Sequence, residues 1–314
     1  MTVHLISVGL SLLAAAYDPR EKVTDPFVQR ALREHPPREL LSPARDAGDV
    51  LSQLETMLRD SHQPSGEVLE FRGRVRETLV DRWPGSISAE VETFEAETGD
   101  ARLSCDDTVV LVASDTPDGV RAAFWNAAAL TAGDLTRISI VNRPQHVQEV
   151  PNGSVGIAMV RGMDVGTEQG FAEAMSALGA LARGLLDRPK TQREGLTCHL
   201  SGGFKAAIPY LLAVAEWVKS AGDRWSGEVS AIVRHETTTS GPIHLPLRQL
   251  PLAAIELEVL SGWDADGRRC DRPGHAVLEG YAYVQDRNGS GWRMTPFGLG
   301  LKEVFRTTQS SLPR

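Results

Sequence analysis

The residues best suited to chemistry in this chain stand in the stretch LTCHLSGGFKAAIPY, residues 196–210. An apolar run stops at Ser201, Gly202 and Gly203 follow, and Phe204 and Lys205 come just before a helical pattern begins. Glycines let a backbone come close to a ligand, and the N–H groups at a helix start, with one ammonium beside them, suit an anion. Two other apolar runs end in the same way, in SVGLS at 7–11 and in SDTPDG at 114–119. In open α/β sheets ligands sit outside the carboxyl ends of the strands. The three loops therefore read as parts of one site, with Asp115 equally suited to capping the helix that follows it.

Other chemistries find less support. No GxxxxGK[ST] occurs and no GxGxxG follows the first apolar run, which disfavours a P-loop NTPase and a hydride-transfer dehydrogenase. His199 lies inside an apolar run and reads as a core histidine, and the remaining histidines show no metal-ligand spacing with Cys or carboxylates, so no metal and no cofactor are expected. Arg30 and His35 match an R-x4-H ribonuclease pattern, but RALREH reads as an ordinary helix face.

Positioning these loops requires an alternation of strands and helices. Apolar runs at 3–9, 108–114, 135–141, 196–200 and 228–234 are rich in Val, Ile and Leu without clean alternation, as strands covered on both faces are. Helical patterns at 119–132, 170–186 and 204–220 lie between them. The pattern predicts an α/β fold with a mostly parallel, Rossmann-like sheet flanked by helices. Residues 18–100 are polar and read as a helical insertion, with Ser88 capping a helix. In the tail, 281–286 and 291–295 flank an Asn288-Gly289 turn, and Thr295-Pro296 opens a last helix. The expected organisation is a main domain over 1–253 and a small winged-helix-like unit over 254–314.

The bulk numbers are those of an ordinary globular protein: 314 residues, 41% hydrophobic, 24% charged and a net charge of −8. Such acidity argues against broad non-specific binding of nucleic acid, though not against a phosphorylated ligand in a local pocket. Three widely spaced cysteines fit a reducing cytoplasm. The apolar N-terminus lacks a basic start and reads as a buried strand, and no stretch is long enough to span a bilayer, so no membrane partner is expected.

Four stretches, HLISVGLSLL, SAEVETF, VVLVASDTPDG and above all HLSGGFKAAIPYLL, resemble the signature segments of the CRISPR-associated Rossmann fold (CARF) domain. The likeness runs over about 1–253 and takes in EVSAIVRHE and IHLPLRQLPL. It implies a homodimer that senses cyclic oligoadenylate, as cyclic tetra- or hexa-adenylate, in type III CRISPR antiviral defence. Carried over to this sequence, the ligand-binding residues are Gly9, Ser11, Leu12, Ser201, Gly202, Gly203, Phe204 and Lys205, with Ser114, Asp115 and Thr116 as further lining. Leu10 stands where many members have a hydroxyl residue. Some members also cleave the ring without metal, and here Ser11 and Lys205 would be the catalytic residues of such a ring nuclease. The alternatives are a regulator that binds DNA through the tail, where eight Lys and Arg meet six Asp and Glu over 261–314, and a sensor acting through a partner protein.

Overall fold

The computed structural model describes residues 1–9, 46–60, 88–163, 166–189, 195–202, 208–234, 241–251, 255 and 259–306. Strand β1 (Thr2–Ser7) leads through helices α1 (Ala47–Asp60) and α2 (Ala89–Thr98) to β2 (Thr108–Ser114). Then come α3 (Pro117–Leu130), β3 (Ile138–Val141), β4 (Val155–Val160), α4 (Glu168–Leu186), β5 (Gly195–His199), α5 (Ile208–Ser220) and β6 (Glu228–Val233). Short β7 (Ile243–His244) closes a seven-stranded sheet of order β3-β4-β2-β1-β5-β6-β7, parallel throughout except for β7. The expected α/β sheet is present.

Strand β4 carries no counterpart among the runs read from sequence. Its segment VGIAMV is diluted by Gly156, Ala158 and Met159, which weaken the β-branched signal. The run at 135–141 divides into a 3-10 turn at Leu135–Arg137, capped by the Asp134 side chain, and a strand of only four residues. Helix α2 begins as expected, with Ser88 Oγ accepting from the Val91 N–H at 3.1 Å.

Side chains alternate across the sheet, as strand geometry requires. From β1, Val3 and Leu5 face one core with α4 and α5, while Ile6 faces the other with α1, α2 and α3. The tail belongs to the first core. Its three strands, β8 (Arg268–Arg269), β9 (Tyr283–Gln285) and β10 (Trp292–Met294), pair in the order β8-β10-β9, and α6 (Pro296–Phe305) follows with Thr295 as N-cap. Tyr283, Trp292, Leu301 and Val304 are buried in one cluster with Leu178 and Trp217.

Two glycines set how close α6 comes to α4. A Cβ on Gly179 would strike the carbonyl of Gly300, and one on Gly300 would strike the Trp217 ring and come within 2.9 Å of the Met175 carbonyl oxygen. Backbone cannot yield as a side chain does, so Gly300→Ala is expected to destabilise the protein by about 1–3 kcal/mol through overpacking. A urea midpoint equal to the parent's would show that α6 can simply slide.

The segment from 243 to 250 straps the outside of α5. Glu216, buried on α5, accepts from Arg248 Nε and Nη2, both at 2.8 Å, and Ser220 Oγ accepts from the Leu250 N–H. Arg248 also lies over the Tyr281 ring, 5.1 Å from its centroid, which ties the strap to the tail.

Candidate functional site at the carboxyl edge of the central strands

Strand β1 pairs with β2 on one side and β5 on the other, in registers Ser7↔Val112 and Ile6↔His199. The chain reverses direction across the sheet at this point, since β2, β4 and β3 lie to one side of β1 and β5, β6 and β7 to the other. Such a switch point opens a crevice at the carboxyl ends of the strands. Gly9, Ser114–Thr116 and Ser201–Gly202 all emerge at this edge. Of the expected residues, Ser11, Leu12, Gly203, Phe204 and Lys205 lie outside the described residues, as do Arg30 and His35.

The described residues are more tightly engaged than their types suggested. Ser7 Oγ donates to the Gly202 carbonyl at 2.5 Å, tying the ends of β1 and β5 together. Ser201 Oγ accepts from the Arg234 N–H at 2.6 Å, so its hydroxyl braces the end of β6. Ser114 and Thr116 hydroxyls lie 3.0 Å apart, and Thr116 Oγ1 accepts from the Gly119 N–H. The helix cap is therefore Thr116, a correction to the reading of Asp115: α3 starts at Pro117, one residue too far on for Asp115 to reach the free amides. Asp115 instead accepts from the Gly162 N–H at 3.0 Å, bridging the ends of β2 and β4.

Acidic residues that the sequence reading passed over occupy the centre of this edge. Glu90, in the first turn of α2 and 1% exposed, accepts from the Gly9 N–H at 2.5 Å. Its carboxylate also packs on Gly202, where a Cβ would lie 2.5 Å from Glu90 Cδ. Two steps on, Glu92 pairs with Arg234 at 3.2 Å, and Arg234 Nη1 also donates to the Glu92 carbonyl. Helix α2 is thus pinned across the ends of β1, β5 and β6. One signal for Glu90 was legible: in AEVETF it shares a helix face with Thr93 and Phe94, and all three are buried.

Beneath this edge two imidazoles meet. His4 Nδ1 and His199 Nε2 are 2.9 Å apart, and Phe94 sets its ring edge-on to His4 at 4.9 Å. Burial lowers the His4 pKa to about 4 and holds His199 well below the usual histidine value, with the neighbouring His4 adding to the latter. Both rings are neutral at pH 7. Each has one further nitrogen that is buried with no partner among the described residues. His199 is a core residue as expected, though only half satisfied.

No group of three or more His, Cys, Asp or Glu side chains converges as a metal cage among the described residues. Among them, no helix is long and apolar enough to cross a membrane. No family model matches the chain, and no curated protein matches it.

Proposed function

We propose that the chain is a sensor of cyclic oligoadenylate, binding the ring at the carboxyl edge of β2, β1 and β5. The observation that supports this best is the strand order: loops assigned to the ligand by sequence likeness leave three adjacent parallel strands at the switch point. A ring of identical nucleotides has a two-fold axis when its size is even, and an isologous homodimer offers each loop twice across such an axis.

Glu90 modifies how the ring is held. Because its carboxylate takes the Gly9 amide and packs on Gly202, neither of these offers a place for a phosphate, and the phosphates are assigned to the Lys205 ammonium. Carboxylates at this edge suit donors instead, such as an adenine amino group or a ribose hydroxyl. Calorimetry with cyclic tetra- and hexa-adenylate tests the reading. Lys205→Ala should weaken ring binding by roughly 1.5–3 kcal/mol for each charge-assisted bond lost, with the melting temperature nearly unchanged. If neither ring binds at micromolar concentration to the folded protein, the reading fails.

Cleavage of the bound ring is the enzymatic extension of this reading. A ribose 2′-OH would attack its own phosphodiester, with Ser11 positioning it and Lys205 stabilising the developing charge. Incubation in EDTA should then yield linear products ending in a 2′,3′-cyclic phosphate, and their absence would leave a sensor only. The tail is a three-stranded sheet followed by one helix, and the alternative reading takes it as a winged-helix-like unit that binds DNA. Burial of Leu301, Val304 and Phe305 against α4 favours support of the main domain instead.

A further inference from the structure

A second opening lies at the far end of the same carboxyl edge. Strands β3 and β4 run parallel, with Val141 level with Ala158, and each is followed closely by an arginine, Arg143 and Arg161. Both guanidiniums line a cleft of about 720 Å³ whose opposite wall is the first part of α4, with Leu299 of α6 at its rim. This volume falls within the range of small-molecule sites, roughly 300–1,000 Å³. Neither arginine side chain has an ion pair or hydrogen bond among the described residues.

The lining divides by chemistry. Two guanidiniums offer planar forks that match the oxygens of a phosphate, and among the described lining residues they face a single carboxylate, Glu173. One Glu173 oxygen already accepts from Gln169 Nε2 at 3.0 Å, which orients the carboxylate and leaves its other oxygen to accept from a ligand hydroxyl. Met159 and Leu299 supply an apolar surface for the body of the ligand. A bare anion would use the arginines and waste the rest of the cleft.

We infer that this cleft binds a phosphate monoester of about mononucleotide size, at a site separate from the β1–β5 edge. The test uses the full chain with AMP, ribose 5-phosphate, inorganic phosphate and citrate as probes, read by thermal shift and calorimetry. At least one of the two esters should bind and raise the melting temperature at millimolar concentration. Arg143→Ala with Arg161→Ala should weaken that binding about tenfold or more for each guanidinium removed. Arg161→Lys, which keeps the charge and loses the fork, should fall between. Because the site is separate, the double variant should bind cyclic tetra-adenylate as the parent does, whatever that affinity is, and Lys205→Ala should leave ester binding intact. The inference is overturned if neither ester binds, if only inorganic phosphate or citrate does, or if the double variant binds the ester like the parent.

Discussion

Arg188→Ala is expected to cost about 4 kcal/mol of stability, from a cavity and lost hydrogen bonds together. Arg188 follows α4 and is 1% exposed. Its Nη1 donates to the Val147 and Val150 carbonyls at 2.9 and 3.0 Å, and Nη2 donates to Thr108 Oγ1 at 3.1 Å. It thereby holds the 3-10 turn at Pro144–Glu149 against the start of β2. No carboxylate pairs with it among the described residues, and burial pulls its pKa down to about 10, so it remains a cation at neutral pH. Among the described residues, neutral carbonyl and hydroxyl oxygens offset its desolvation. Arg188→Met separates the two contributions, since it fills the volume and leaves the carbonyls unpaired. About half the loss should remain in that variant, given unpaired buried groups at roughly 1–3 kcal/mol each. Urea denaturation at neutral pH measures both, and a methionine variant as stable as the parent would mean the guanidinium bonds contribute nothing net.

The His4–His199 pair should make the protein acid-sensitive in a defined window. Both imidazoles have folded pKa values below the unfolded value of 6.5. Between 6.5 and about 4 the unfolded chain therefore binds protons that the folded chain refuses, so stability falls as pH falls. Their contribution is fully present above pH 6.5 and is lost on acidification, His4 alone accounting for about 3 kcal/mol by pH 4. Urea midpoints should drop from pH 7 to pH 4.5 more steeply in the parent than in His199→Leu, which keeps bulk and removes one proton site. Imidazole resonances of the pair should stay constant in NMR spectra over the upper part of that range. Resonances that titrate near 6.5, or equal pH slopes in parent and variant, would show the pair to be solvated. Because His199 lies two residues before Ser201, the first structural consequence of acid should appear at the site edge.

The two arginines after β3 and β4 show a limit of motif reading. Each is an unremarkable surface residue in the sequence, 18 positions apart, and only parallel pairing of their strands brings them to one cleft.

By itself the sequence determined the fold class, because apolar runs of strand length alternating with helical patterns can bury their surfaces only as a sheet covered on both faces. It also determined local features whose cause is local. Ser88 and Thr295 cap their helices through bonds that span three residues, and the tail turn follows from Asn288-Gly289. The three polar strand ends were legible for the same reason. Which of their groups remain available was decided only by tertiary structure. Glu90 reaches Gly9 across 81 positions, Ser7 reaches Gly202 across 195, and Arg234 reaches Ser201 across 33. A polar residue in a loop reads alike whether it faces a ligand or a neighbouring strand, because residue type fixes what a group can bond but not what stands next to it. Strand order does that, and here it filled the Gly9 amide with a carboxylate and buried two histidines side by side.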